Sequence, residues 1–562
     1  MNCATYSERG TPRHAPRRRR SALFLGGFAV ASVCAATAAT SAGASTYPSV
    51  TANVQVTNSK APARMDLIPA VAVDPNNPEH IVVAGGDFGV GSCILYSSTD
   101  GGATFTAGRN WAMPPGDGFQ KCTPNSASMA FPTAFAGDGS IVEGIGVAPD
   151  KASVGYDNFS PTSMVVSRTS DGGNNWTSTI VKDNRNTSQP TDANYPNFEG
   201  AWQIHLVADP SRHIVYAGWQ RRNVVIPNEP DADMPNGESR PVVAVSTDDG
   251  KTFGKPIDVS GYSLDQLMSA PGTDGFPVRR GPTLAVDPSG TLYALVDQAS
   301  RPEDGPDSYL STQLRMIMNV SSDRGKTWQH YTVQDLHDLT DYPEIAAGPL
   351  PSGKGSVVVM VTEDQADGAA GQQQVRDIYM RRSTDGGKTW SQRIRLTDDP
   401  VTDYANKYAP NVSIAPNGRI DVAWYDYRND NGNQFVDTYY TYSTDGGARW
   451  AKNIRVSSVS SDRHYGFFAG FAGVRGPIGI ASSNDAAYIA WEDTRKATPA
   501  SPEVDTYFAA VQQAPVATTG AAALAIVAAV AGGLVTAAMA LVAASYGVRA
   551  RQRKREEELV KT

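Results

Sequence analysis

Arginines, carboxylates and tyrosines recur at one kind of place in this 562-residue chain, beside pairs of apolar runs that flank a turn. Just after the second run stand Asp87, Arg221 and Arg222, Asp297 and Arg301, Glu363 and Asp364, Asp426 and Arg428, and Asp493 and Arg495. Just before the first run stand Asp66, Glu199, Arg279 and Arg280, Tyr342 and Glu344, Tyr408 and Tyr465. An aromatic-x-Asp-x-Arg pattern appears twice, as WYDYR (424–428) and WEDTR (491–495). Arginine makes bidentate, charge-assisted hydrogen bonds to carboxylates, so such residues, if gathered, would suit an anionic or sugar ligand. The same Asp and Arg side chains could instead pair across neighbouring elements and do no more than hold them together.

The elements that carry these residues read as β-hairpins. IPAVAVDPNNPEHIVVAGGD (68–87), PTLAVDPSGTLYALVDQ (282–298) and PNVSIAPNGRIDVAWYDYR (410–428) each place β-branched runs on both sides of a Pro, Gly or Asn turn. Seven such hairpins can be counted, the last at 476–495. Between them recurs an octet: STDGGATF at 98–105, TSDGGNNW at 169–176, STDDGKTF at 246–253, SSDRGKTW at 321–328, STDGGKTW at 383–390 and STDGGARW at 443–450. Its aspartates, Asp100, Asp171, Asp248, Asp323, Asp385 and Asp445, can accept bonds from N–H groups a few residues on and so close a turn. Glycine supplies positive φ, and the final Trp or Phe can pin the turn to its sheet.

This octet resembles the Asp box, the bacterial neuraminidase repeat of the sialidase superfamily. The resemblance implies an all-β fold, a β-propeller in which each box joins the third and fourth strands of a blade, away from the active face. The box aspartates are then structural. Hairpin entrances and exits would converge on the opposite mouth. Seven four-stranded blades are expected, with six as the alternative. The seventh unit has a third strand at Thr506–Val511 but no box, so Val50–Thr57 is expected to supply its outer strand and close the ring.

The resemblance also implies chemistry. Members of the family use three arginines on a substrate carboxylate, an Asp acid/base, and a Tyr nucleophile polarised by a Glu. Their first arginine lies in an Arg-Ile-Pro motif, but here Leu67-Ile68-Pro69 stands in the first blade. Arg280-Gly281-Pro282 is a nearer match. Counted from there, Asp304 resembles the acid/base, Glu344 the tyrosine's partner, Arg428 and Arg495 the remaining arginines, and Tyr465 the nucleophile. No G-x-S-x-G elbow, H-E-x-x-H, P-loop or post-strand G-x-G-x-x-G is found.

The ends predict export and anchoring. The basic run Arg17–Arg20, an apolar stretch and Ala42-Gly43-Ala44 read as a signal peptide over 1–44. The ectodomain spans 45–513, a transmembrane helix with its lead-in 514–546, and a basic cytoplasmic tail 547–562. The predicted location is the cell membrane, single-pass, with the propeller extracellular. After signal removal Cys93 and Cys122 remain and are expected to form a disulfide. No cofactor is expected, although carboxylates near Asp87 could take calcium. Net charge is −8 with no basic stripe outside the termini, so nucleic acid is not expected as a partner. Two functions fit: a propeller that recognises a glycan or surface glycoprotein without catalysis, and a sialidase-type glycoside hydrolase acting through Arg280, Asp304, Glu344, Arg428, Tyr465 and Arg495.

Overall fold

The computed structural model describes residues 48–57, 66–87, 92–110, 131–147, 163–184, 198–224, 239–260, 281–299, 313–338, 341–366, 375–401, 405–465 and 478–514. Seven antiparallel sheets form among them, each running outward from its first strand to its fourth. The first strands are Asp66–Asp74, Thr133–Phe135, Phe198–Asp209, Thr283–Val286, Asp341–Pro349, Lys407–Ile414 and Gly479–Ser482. Each neighbours the next in space, and Gly479–Ser482 lies beside Asp66–Asp74, which closes the ring. The fold is a seven-bladed β-propeller, not a six-bladed one.

Both faces of each sheet are buried because blades stack side on, which is why the strands read as nearly unbroken apolar runs. In blade six, Ile420, Val422 and Trp424 pack toward blade five, while Ala423 and Tyr425 pack toward blade seven. Trp424 and Trp491 are among the largest fully buried side chains. Each contributes about 2–3 kcal/mol by leaving water.

All six octets fold as one turn. In the fifth blade Ser383 donates to Asp385 at 2.8 Å, the Gly387 N–H donates to Ser383 Oγ at 2.9 Å, and Thr389 donates through its N–H and hydroxyl at 3.0 and 2.6 Å. The turn follows the third strand, Arg376–Ser383, and leads into the fourth, Ile394–Arg395, as the repeat implies. Thr327 holds Asp323 at a pKa of about 2, and Asn175 does the same for Asp171. These carboxylates are spent on the turn. Gly102 of the first box sits so close to Phe508 of blade seven that a Cβ would stand 2.1 Å from the ring.

The amino-terminal segment closes the last blade. Val54 and Gln55 pair with Phe508 and Tyr507 in the third strand, Asp505–Gln512. The register repeats that of Ile454 and Arg455 against Tyr440 and Tyr439 one blade earlier. Thr57 donates to Asp505 at 3.0 Å, as Ser457 does to Asp437.

Residues 1–44 and 515–562, with the expected signal, membrane span and tail, lie outside the described residues, and so do Cys122, Arg280, Arg301 and Asp304. Among the described residues no helix is long and apolar enough to cross a membrane. Cys93 is buried and disulfide-bonded.

Candidate functional site

At the end of the strands remote from the boxes, the exit face, two different kinds of arginine are found. The first kind bolts blades together. Arg428 donates to Asp426 at 2.9 and 2.7 Å, to Asp398 at 2.8 Å and to Asn453 at 2.9 Å, and lies 4.1 Å above the Tyr439 ring. Arg495 repeats this, with Asp493 at 2.9 and 2.6 Å, Asn53 at 3.2 Å and Tyr507 4.0 Å beneath. In both motifs the tryptophan shares the same aspartate: Trp424 donates to Asp426 at 2.8 Å and Trp491 to Asp493 at 2.9 Å. Within blade five a similar arrangement comes from another chain position, Arg393 bonding Asp364 at 2.7 Å over Tyr379 at 4.4 Å. Since Tyr439 and Tyr507 belong to third strands, the Arg428 and Arg495 guanidiniums lie outward, at the seams between blades.

The second kind lies over an aromatic stack on the inner strands. Phe435–Val436, at the start of the third strand of blade six, pairs with the short strand Ser461–Asp462. That extension delivers Arg463, whose guanidinium carbon lies 5.1 Å from the Tyr408 ring centre. Tyr408 stacks on Tyr425 at 5.2 Å and leans on Tyr427 at 5.7 Å. Tyr425 accepts the Glu492 N–H of blade seven at 2.9 Å. Burial works against the charge on Arg463, but Tyr408, Tyr427 and Glu492 outweigh it and hold its pKa above the ordinary value. Burial pushes the Tyr408 and Tyr425 phenols well above theirs. The Tyr408 hydroxyl is shut off from solvent, against Tyr427. On the paired segments that carry Arg463, Phe435 is 42% exposed and the His464 side chain 68%.

A third feature lies on the innermost strands. Glu344 of blade five stands 3.6 Å from His205 of blade three, two blades away. Burial lowers the His205 pKa to about 4, so at neutral pH this is a contact of a neutral imidazole with a carboxyl group.

Comparison with known proteins identifies the repeat and a partial likeness. The BNR/Asp-box repeat model matches residues 381–392, inside the fifth box and its flanks. A curated sialidase of Micromonospora viridifaciens is 29% identical over 163 residues, covering 26% of this chain and 24% of its own length. The chain is a propeller that carries Asp-box repeats and is similar to a sialidase over part of its length. It aligns with about a quarter of that curated relative. Among solved structures, a Dyadobacter fermentans protein of unknown function is 12% identical with TM-score 0.43, covering 82% of this chain and 98% of that one. Trypanosoma rangeli sialidase is 13% identical with TM-score 0.41, covering 82% and 59%.

In this Asp-box propeller, the sequence-expected site residues that are described fall in three places. Arg428 and Arg495 occupy inter-blade seams, Glu344 meets His205 in the interior, and Tyr465 sits half-buried beyond Ser461–Asp462, its N–H 3.4 Å from the Asp462 carbonyl. Arg463, Tyr425, Tyr427 and Glu492 were not singled out by pattern as members of one site. The signal for Arg463 was its place in RHYGFF (463–468), two residues before Tyr465. Among the described residues, no group of three or more His, Cys, Asp or Glu is placed to hold a metal ion.

Proposed function

We propose that this chain is a surface-displayed propeller that recognises carbohydrate, an anionic sugar or the glycan of a surface glycoprotein, without hydrolysing it. The observation that carries the reading is Arg463 held over the buried tyrosine stack of Tyr408, Tyr425 and Tyr427, next in sequence to the exposed His464. The stack positions the guanidinium, which can add two parallel bonds to a carboxylate. Arg428 and Arg495 support recognition over catalysis by being already neutralised by Asp426 and Asp493. Binding a substrate carboxylate with them would leave those buried aspartates unpaired.

The hydrolase reading is favoured by the matched stretch of the Micromonospora sialidase. It would use Arg280, Asp304, Glu344, Arg428, Tyr465 and Arg495. Display at the surface, with a signal over 1–44, a span within 514–546, a cytoplasmic tail and a Cys93–Cys122 disulfide, is part of the proposal. Glycan-array binding, run with a panel of fluorogenic glycosides that includes a sialoside, tests the two functions together. Retained glycans without turnover support recognition. Release of free sugar that is lost in Tyr465→Phe establishes the hydrolase instead.

A further inference from the structure

The third strand of blade seven, Asp505–Gln512, decides where the chain leaves the propeller. Asp505 lies opposite Asp493 at the exit face, and Gln512 lies opposite Ala486, next to the turn between the first two strands. In blade six the same alignment puts Ser443, the first residue of the box, opposite Ile420. The last described residues therefore emerge on the box face. Gln513 is fixed there by its N–H to the Asp485 carbonyl at 2.7 Å and its side-chain amide to Tyr440 at 2.9 Å.

Only Ala514–Gly520 separates Gln513 from the apolar run that begins at Ala521. Seven residues reach at most about 25 Å even when fully extended. A strand such as Ile420–Asp426 carries the exit face roughly 20 Å further away. Bringing the exit face to the bilayer would take nearly the full extended length of that lead, whereas bringing the box face there takes none of it.

We propose that the propeller stands with its box face toward the bilayer that holds its own anchor, so that the mouth around Arg463 opens away from the membrane. This rests on the reading of 514–546 as a membrane span. The partner of the box face is the lipid headgroup layer, and the exposed turn cations Arg324, Lys326, Lys354 and Lys388 on that face suit phosphate-bearing headgroups. The six box aspartates share the face and stay ionised, their pKa values lowered by their own turns, so the orientation is carried by the chain's exit point and the cations add only local contacts.

The test uses the full chain in vesicles of phosphatidylcholine and phosphatidylglycerol containing a headgroup-nitroxide lipid. Fluorophores are attached through Ala448→Cys, an exposed box position, and Val459→Cys, 47% exposed beyond the fourth strand of the same blade on the exit face. The signal of the reporter-free chain is subtracted. Quenching at Ala448→Cys at least twofold stronger than at Val459→Cys is expected, with the difference lost in detergent. Equal quenching, or stronger quenching at Val459→Cys, overturns the orientation while leaving the anchor intact. A chain that fails to float with the vesicles removes the anchor, and this inference with it.

Discussion

Asn53 and Asn453, 400 positions apart in the chain, make the same bonds. Asn453 donates to the Leu396 carbonyl at 3.0 Å and accepts the Asp398 N–H at 2.9 Å, tying the fourth strand of blade six to that of blade five. Asn53 donates to the Val456 carbonyl at 3.0 Å and accepts the Ser458 N–H at 2.6 Å, tying blade seven to blade six. Each amide oxygen also receives an arginine, Arg428 or Arg495. The amino-terminal segment is thus a fourth strand in all but sequence position.

That equivalence predicts matched losses. Asn53→Ala and Asn453→Ala each leave a backbone N–H and C=O without their partners, at a cost of about 1–3 kcal/mol. Denaturant unfolding of both variants checks the magnitude. Hydrogen exchange should separate them, with Asn53→Ala exposing 505–512 and sparing 435–443.

The bolting arginines should behave as structural groups. Arg428→Ala strands the buried Asp426 and is expected to cost about 3–5 kcal/mol. Glycan affinity measured below the unfolding transition should stay within about twofold of the parent. A large loss of affinity with unchanged stability would return Arg428 to the binding site.

Glu143 supplies a pH signature. It is fully buried with one weak partner, Thr133 at 3.4 Å, and burial raises its pKa well above the ordinary value. A carboxyl group whose pKa is raised on folding favours the fold below its unfolded pKa, and that contribution is lost as pH rises toward the folded value. Glu143→Gln should therefore gain stability over the parent between pH 4 and pH 8. Urea titrations at both pH values read the difference, and a gap that shrinks as pH rises contradicts the assignment.

One box carries removable strain. Arg324 holds φ 64° where most boxes have glycine, and its side chain is exposed. Arg324→Gly should stabilise by about 1 kcal/mol by relieving the left-handed conformation. Asp249 holds φ 62° at the same box position but is tied to His213 at 3.0 Å, so the same change there should not help.

The boxes, the hairpins and the closing segment were legible because each is written in consecutive residues: a turn octet, a β-branched run, a lone strand at the amino terminus. The aromatic-x-Asp-x-Arg pattern was equally visible, and its geometry belongs to the seams because the arginine folds back over a third-strand tyrosine, a contact set by strand register. Arg463 depends on an extra pairing, Phe435–Val436 with Ser461–Asp462, that has no periodicity of its own. His205 and Glu344 meet across two blades, a distance that only the curvature of the ring sets. The outer strands are as short as two residues, Ile394–Arg395 and Ile454–Arg455, too brief for any pattern.

The central claim is that the mouth around Arg463 binds sugar and leaves it intact. The direct measurement is glycan binding by the full chain and its Arg463→Ala variant, with mass analysis of the recovered glycan. The account predicts a bound, uncleaved glycan and a loss of affinity of about tenfold or more in Arg463→Ala, as expected for removing a charge-assisted pair. Equal affinity in the variant, or a recovered glycan shortened by one sugar, contradicts it.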